Sequence, residues 1–406
     1  MSEKLTVKNV VNINKSTLSS KENWSTLKYL DTGNITENQI DTLQIFQKGE
    51  KLPSRAKRKV EKGTIIYSTV RPNQKHFGYF DTYSNDLVVS TGFATLDVID
   101  PRVNSKYLYY LLTQNSVISQ LQSIGENSTS SYPSIRPEDI GNLSFMFPDI
   151  DIQNKIANIL SAIDDKIQIN NQINQELEAM AKTLYDYWFV QFDFPDQNGK
   201  PYKSSGGKMI YHPELKREIP EEWGVEKLKY FSKYVSDKVE SSELNIENYV
   251  GTDNMIPDMG GIELTTSIPK SGTSTKFSIG DILISNIRPY FKKIWLSDRL
   301  GGCSSDVLCI RTRKIVSREF VFATLARDDF FNYDVAGSKG SKMPRGDKKH
   351  IMEYPIVFEF EIADQFSKIV RPIYEAVHKN YNQNQELTQL RDWLLPMLMN
   401  GQVKVE

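Results

Sequence analysis

Two stretches of this chain, 210 residues apart, carry the same long apolar pattern in step. Gln172 to Leu177 read QINQEL and Asn382 to Leu387 read NQNQEL. The same offset pairs Ile152 with Ile362, Ile156 with Phe366, Ile159 with Ile369, Ile163 with Ile373, Asn170 with Asn380 and Leu184 with Leu394. In the first copy Ile156, Ile163, Leu177 and Leu184 form one seven-residue series, interrupted by Asn170. Ile152, Ile159, Ile173, Met180 and Tyr187 form another, interrupted by Lys166. The second copy runs Phe366, Ile373, Asn380, Leu387 and Leu394 against Ile362, Ile369, Ala376, Gln383, Leu390 and Met397. Heptad spacing predicts helices that meet along an apolar seam. At 1.5 Å per residue each would be roughly 54 Å long, more than one small domain covers, so the two are expected to pair with each other. A pseudo-two-fold axis across them would run them antiparallel and bring only central residues to their own counterparts. Asn170 is therefore expected to face Asn380, an amide pair that fixes register.

At 406 residues the chain exceeds what a single core supports, and the repeat says where to divide it. Ahead of each helix lies a region of β-branched and aromatic runs broken by Gly, Pro, Asn and Ser, such as GTIIYSTVRP (63–72) and GDILISNIRP (280–289). These read as short strands in a mixed domain. The two segments match at an offset of 217, pairing Arg71 with Arg288 and Lys75 with Lys292, whereas Tyr29, Thr32 and Asn34 match Tyr249, Thr252 and Asn254 at 220. The expected fold is α+β: two mixed α/β domains separated by two long antiparallel coiled-coil helices, with a pseudo-two-fold internal repeat. The boundaries expected are 1–148 for the first domain, 149–190 for the central helix, 191–218 for a connector, 219–358 for the second domain, 359–399 for the C-terminal helix and 400–406 for a tail. The connector's Phe, Tyr and Trp residues argue that parts of it are packed.

Catalytic constellations are scarce. There is no G-x-x-x-x-G-K-[ST] loop and no G-x-G-x-x-G, and His76, His212, His350 and His378 show no metal-ligand spacing. Asp149 with Asp164-Asp165-Lys166 loosely fits a metal-dependent nuclease, but Asp149 precedes the helix in whose middle Asp164 lies, so convergence on Mg²⁺ is not expected. No catalytic residue and no metal ligand is assigned. Cys303 and Cys309 are too few for a disulfide framework and read as buried thiols of a reducing cytoplasm. No stretch reaches the ~18 apolar residues of a membrane span.

A net charge of −1 gives no global attraction to nucleic acid, so any such attraction is local. KLPSRAKRKVEK (51–62) holds Arg55, Lys57, Arg58 and Lys59 among its cations against a lone Glu61, and GSKGSKMPRGDKKH (337–350) holds Lys339, Lys342, Arg345 and Lys348 against a lone Asp347. Either cluster alone reads equally well as a solvated loop. One in each half favours contact with the phosphates of DNA. Arg71 with Lys75, and Arg288 with Lys292, recur beside a proline at the end of a strand run and join the candidates, the alternative being arginines that brace a turn.

WFVQFDFPDQNGKPYKSSGGKM (188–209), IPEEW (219–223), RDWLLPMLMNGQV (391–403) and SSYPSIRPEDIGNLSFMFPDIDIQNKIANIL (130–160) resemble the specificity subunit of type I DNA restriction-modification systems, over nearly the whole chain. Two departures stand out: Glu359 where the first copy has Pro148, and an N-terminus without I-P-x-x-W. The resemblance implies two target-recognition domains, each reading one half of a bipartite asymmetric sequence in double-stranded DNA, held apart by the helices. It implies that the helices dock two methyltransferase subunits, which recruit restriction subunits, and that S-adenosylmethionine, ATP and Mg²⁺ belong to those partners. The chain itself would be non-catalytic and without a cofactor. The rival readings are a coiled-coil adaptor that does not bind DNA and an enzyme acting on DNA alone.

Overall fold

The computed structural model describes residues 3–19, 22–82, 84–128, 131–340, 342–403 and 405. The chain divides into two compact units, one of residues 1–168 with 384–406 and one of residues 169–383. The division falls inside both long helices, Ile150–Tyr185 and Phe360–Met399, so each unit holds one globular region and a segment of each helix.

In the first unit one four-stranded sheet runs Gln44–Gln47, Thr26–Leu30, Leu87–Ser90, Ala56–Lys59, and a second runs Val11–Ile13, Phe93–Val98, Ile65–Ser68, Phe77–Tyr79. All four residues of Ile65–Ser68 are buried, which is why IIYS reads as a continuous run rather than as an alternation. The helix Ser105–Leu112 follows, started by Asn104, whose Oδ1 accepts the Tyr107 N–H at 2.8 Å. Its Tyr107, Leu108 and Leu112 pack in one core with Ile156 and Leu160 of the first long helix and Leu398 of the second.

The second unit has a sheet of the same form, Ser232–Tyr234, Val307–Thr312, Ile282–Ser285, Ile294–Leu296, antiparallel throughout. Its core is aromatic: the Phe189 ring lies 4.9 Å from both Tyr185 and Phe320 and 5.4 Å from Phe366. The connector is packed in part, as its composition suggests. Phe192 and Phe194 are buried, Phe194 stacks on Tyr202 at 4.7 Å, and Met209–His212 pairs with Arg217–Pro220.

The helices depart from the heptad expectation in two ways. Of the two apolar series in the first helix one is buried or half-buried, while Ile152, Ile159, Ile173, Met180 and Tyr187 of the other are exposed, as are Ile369 and Leu390 of the second helix. The buried stripe is Ile156, Leu160, Ile167, Asn170, Asn174, Ala181 and Tyr185, because each segment packs on its globular core at helical period and turns the other series outward. The amide meeting is also displaced. In the second unit Asn380 Nδ2 donates to Asn174 Oδ1 at 2.8 Å, Asn170 Nδ2 to Gln383 Oε1 at 2.8 Å, and Asn174 Nδ2 to the Val377 carbonyl at 3.3 Å. These contacts run antiparallel. Asn380 meets Asn174 rather than Asn170 because the crossing lies about two residues beyond each central asparagine, and in an antiparallel pair that displaces every partner by twice as much, one turn.

Candidate nucleic-acid interface

Each unit builds the same local device where its buried strand ends. Arg71 and Arg288 both adopt the left-handed conformation, φ 49° and 50°, and both precede a proline that starts a short 3₁₀ turn, Pro72–Gln74 and Pro289–Phe291. Lys75 and Lys292 close these turns, again left-handed, at φ 56° and 51°. A residue before proline normally avoids this region, and a non-glycine held there costs on the order of 1–3 kcal/mol, so the surroundings must enforce it. They do so alike: the Arg71 N–H donates to the Pro133 carbonyl and the Arg288 N–H to the Pro344 carbonyl, both at 2.8 Å. The bridges Val70 to Ser134 and Ile287 to Arg345 extend the clamp.

These clamps bring candidate residues together from distant sequence. In the first unit the Arg55 carbonyl accepts the Thr91 N–H and the Gly92 carbonyl accepts the Thr69 N–H, both at 2.9 Å, so the basic strand Ala56–Lys59 and the Arg71 turn border one tight turn. In the second, Lys339 and Arg345 exchange two backbone hydrogen bonds at 2.9 Å, closing a loop with Lys342 inside it.

Many of the twelve cations are engaged. Lys59 pairs with Glu22 at 2.9 Å, Lys75 with Glu37, Lys292 with Asp328 at 2.7 Å, Lys339 with Asp347 at 2.7 Å and Arg345 with Asp306 at 3.1 Å. The Lys339 hydrogen bond, aided by the His350 and Lys349 N–H groups, pulls the Asp347 carboxyl down to about 2. Solvent-exposed pairs of this kind are worth roughly 0–1 kcal/mol, little enough to be exchanged for a phosphate. Arg55, Lys57, Lys342 and Lys348 are exposed; Arg55 lies near enough to Asp31 to help hold that carboxyl below its ordinary pKa. Arg58 is half-buried; burial lowers its pKa, and its Nε has no hydrogen-bond partner, as is also true of Arg288 Nε.

Sequence reasoning missed the large side chains beside these cations. Tyr132 is 57% exposed and its ring carries the Arg71 guanidinium at 4.3 Å; Met343, likewise just before the clamping proline, is 49% exposed. The shared X-Pro at Tyr132-Pro133 and Met343-Pro344 was the available signal. Exposed Tyr290 lies inside the second turn. An arginine stacked on an exposed ring presents both a charge and a flat apolar face, which suits contact with nucleotides.

Of the acids weighed as a nuclease site, Asp164 is engaged elsewhere. Asp164 accepts the Tyr110 hydroxyl at 2.6 Å and pairs with Arg391 at 3.1 Å. Among the described residues no three His, Cys, Asp or Glu side chains group as metal ligands, and no helix is long and apolar enough to cross a membrane. Both cysteines are buried, and burial pushes the Cys303 thiol up to about 12.

Several known proteins resemble this chain. Residues 2–179 match the family described as the type I restriction modification DNA specificity domain. The chain is 26% identical to the type I restriction enzyme HindI specificity subunit of Haemophilus influenzae, over 92% of this chain and 94% of that one. It is 25% identical to the MjaIX specificity subunit of Methanocaldococcus jannaschii, over 93% and 84%. In fold it is similar to the crystal structure of a type I restriction-modification S subunit from M. genitalium, with a TM-score of 0.53 at 15% identity, over 98% of this chain and 96% of that one. Along its length the chain is similar to type I restriction enzyme specificity subunits, and its residues 2–179 match the DNA specificity domain of that system.

Proposed function

We propose that the chain is the non-catalytic, DNA-reading subunit of a cytoplasmic type I restriction-modification complex. The observation that carries this reading is the strained Arg-Pro turn, built twice and clamped to a basic or aromatic loop each time. Each globular region, as a target-recognition domain, would bind phosphates through its basic loop and read one half of a bipartite asymmetric target in the major groove. The internal repeat makes the two domains pseudo-two-fold equivalents, and the paired long helices set the spacer between the half-sites. The exposed series containing Ile152 and Ile159 in the first unit, and Ile173 and Met180 in the second, supports docking of two methyltransferase subunits, since such apolar rows mark protein contacts. Restriction subunits would join through them, and S-adenosylmethionine, ATP and Mg²⁺ would be bound by those partners.

Titration with random duplex at several salt concentrations tests the DNA reading. Replacing Arg55, Lys57, Lys342 and Lys348 by alanine is expected to weaken binding across all sequences and to reduce the log–log salt slope by about one per lost phosphate contact. No retardation by the wild-type chain at low salt would favour the adaptor reading. Deleting one heptad from each helix shortens it by ~10.5 Å. Maps of methylated sites are then expected to show a changed spacer and unchanged half-sites; loss of one half-site instead would refute the spacer role.

A further inference from the structure

The second unit contains a cavity of about 210 Å³ between its two helix segments, the strand Ile294–Leu296 and the helix Arg318–Leu325. Trp295, Phe322, Tyr374 and Tyr381 line it, and the Tyr381 hydroxyl donates to Glu178 Oε1 at 3.4 Å. The first unit has a pocket at the matching place, between Phe77, the end of Ser105–Leu112 and its own helix segments, but with different contents. There Arg391 comes in from the helix to pair with Asp164 at 3.1 Å and Glu37 at 3.5 Å, beside Tyr110 and Thr113. The offset of 210 carries Arg391 onto Ala181, and matching the helix Ser105–Leu112 to Arg318–Leu325 carries Tyr110 onto Ala323 and Thr113 onto Ala326; all three alanines line the second cavity. The Arg391 position of the first pocket is thus a methyl group in the second, Asp164 is replaced by the Tyr374 ring, and the acid there is Glu178, from the opposite helix segment.

We propose that this cavity binds a small organic cation of the guanidinium or primary-ammonium class, with its charge at Glu178 and its body against the aromatic walls. Aromatic faces attract such cations, and a desolvated carboxylate supplies the counter-charge. Other charges around Glu178 leave that role to it. Arg327 is committed to Asp186 and, at 3.0 Å, to Asp329, and burial lowers the His378 pKa so that the imidazole stays neutral. Lys182 and Asp258 lie at the exposed edge, and burial raises Tyr185, Tyr374 and Tyr381 out of the titrating range. Burial also pushes Glu178 up to about 7. The bound cation would favour the ionised form, so binding should tighten about tenfold from pH 6 to pH 8.

Calorimetric titration of the full chain with n-butylguanidinium, with n-butanol as the uncharged control, tests the proposal. Saturable binding of the guanidinium alone is expected, weakened at least tenfold by Glu178→Gln and abolished by Ala181→Arg. The latter restores the first-unit arginine, and its melting curve, unchanged or raised, shows that it folds. A parallel titration with a blocked Gly-Arg-Gly peptide separates sources: tighter binding of the peptide points to a partner's arginine, and binding of butylguanidinium alone to a free metabolite. Equal binding of butanol, or wild-type affinity in both variants, would overturn the proposal. Random-duplex binding is expected to be unchanged in both variants, so this outcome is separate from that of the DNA reading.

Discussion

Arg391→Met is expected to destabilise the first unit by about 3 kcal/mol, the lower end of the range for breaking a buried ion pair because the partners keep some contact with water. Arg391 is the only cation pairing with Asp164 among the described residues, and it also reaches Glu37, which otherwise pairs only with Lys75. Burial works against its charge, but Asp164 and Asp392 more than offset that, holding the guanidinium pKa above its ordinary value. Tyr110, whose own pKa is raised by burial and by the Asp164 carboxylate, donates to that carboxylate and cannot neutralise it. Urea unfolding of Arg391→Met, Asp164→Asn and the double variant measures the effect. If the pair is responsible, the double variant is less unstable than the sum of the two singles. Additive losses would mean that Arg391 acts through packing alone.

Asp334→Asn is expected to stabilise the protein at pH 8 by roughly 2–3 kcal/mol, the value of a two-unit pKa shift, and to have almost no effect at pH 4. Asp334 is fully buried and neither carboxylate oxygen has a hydrogen-bond partner. Burial raises its pKa from 3.8 to about 6, with the nearby His350 opposing. The folded chain therefore holds a proton that the unfolded chain releases between pH 4 and 6, so stability falls as pH rises through that window and remains low above it. A carbon placed on Gly346 would lie 2.4 Å from Asp334 Oδ1 and 3.0 Å from Asn286 Oδ1, which also has no partner, so Gly346 backs onto both unpaired oxygens. Since Gly346 belongs to the basic loop of the second unit, the cost is borne at the candidate interface. Thermal melts of both chains at pH 4, 6 and 8 check the sign; a constant difference across that range would exclude a titrating Asp334.

Much of this was legible in the sequence because it rests on periodicity. The long helices, the buried IIYS and ILIS strands and the packed connector follow from spacing and residue type. The face each helix buries did not follow, because a heptad row is apolar whether it meets a second helix, a sheet or a partner protein. Arg71 and Arg288 were singled out as repeated residues next to proline, but the clamp that strains them depends on Pro133 and Pro344, distant in sequence and invisible to local pattern. Tyr132 was overlooked because the X-Pro pair it shares with Met343 gains meaning only once Pro133 is seen to hold Arg71. Counting cations also overstated the free charge, since Glu22, Glu37, Asp306 and Asp328, which neutralise them, lie far along the chain.

The division of both long helices between the two units bears on synthesis. Leu394, Leu395 and Leu398 complete the core that begins with Val7 and Val10, so the first unit to be started is the last to be finished. The ribosome must add all of residues 169–383 before that core can close, on the order of ten to forty seconds at ordinary elongation rates. The second unit, contiguous in sequence, can fold during the wait. A nascent first unit with an unfilled apolar groove is therefore an obligatory stage in the life of every copy.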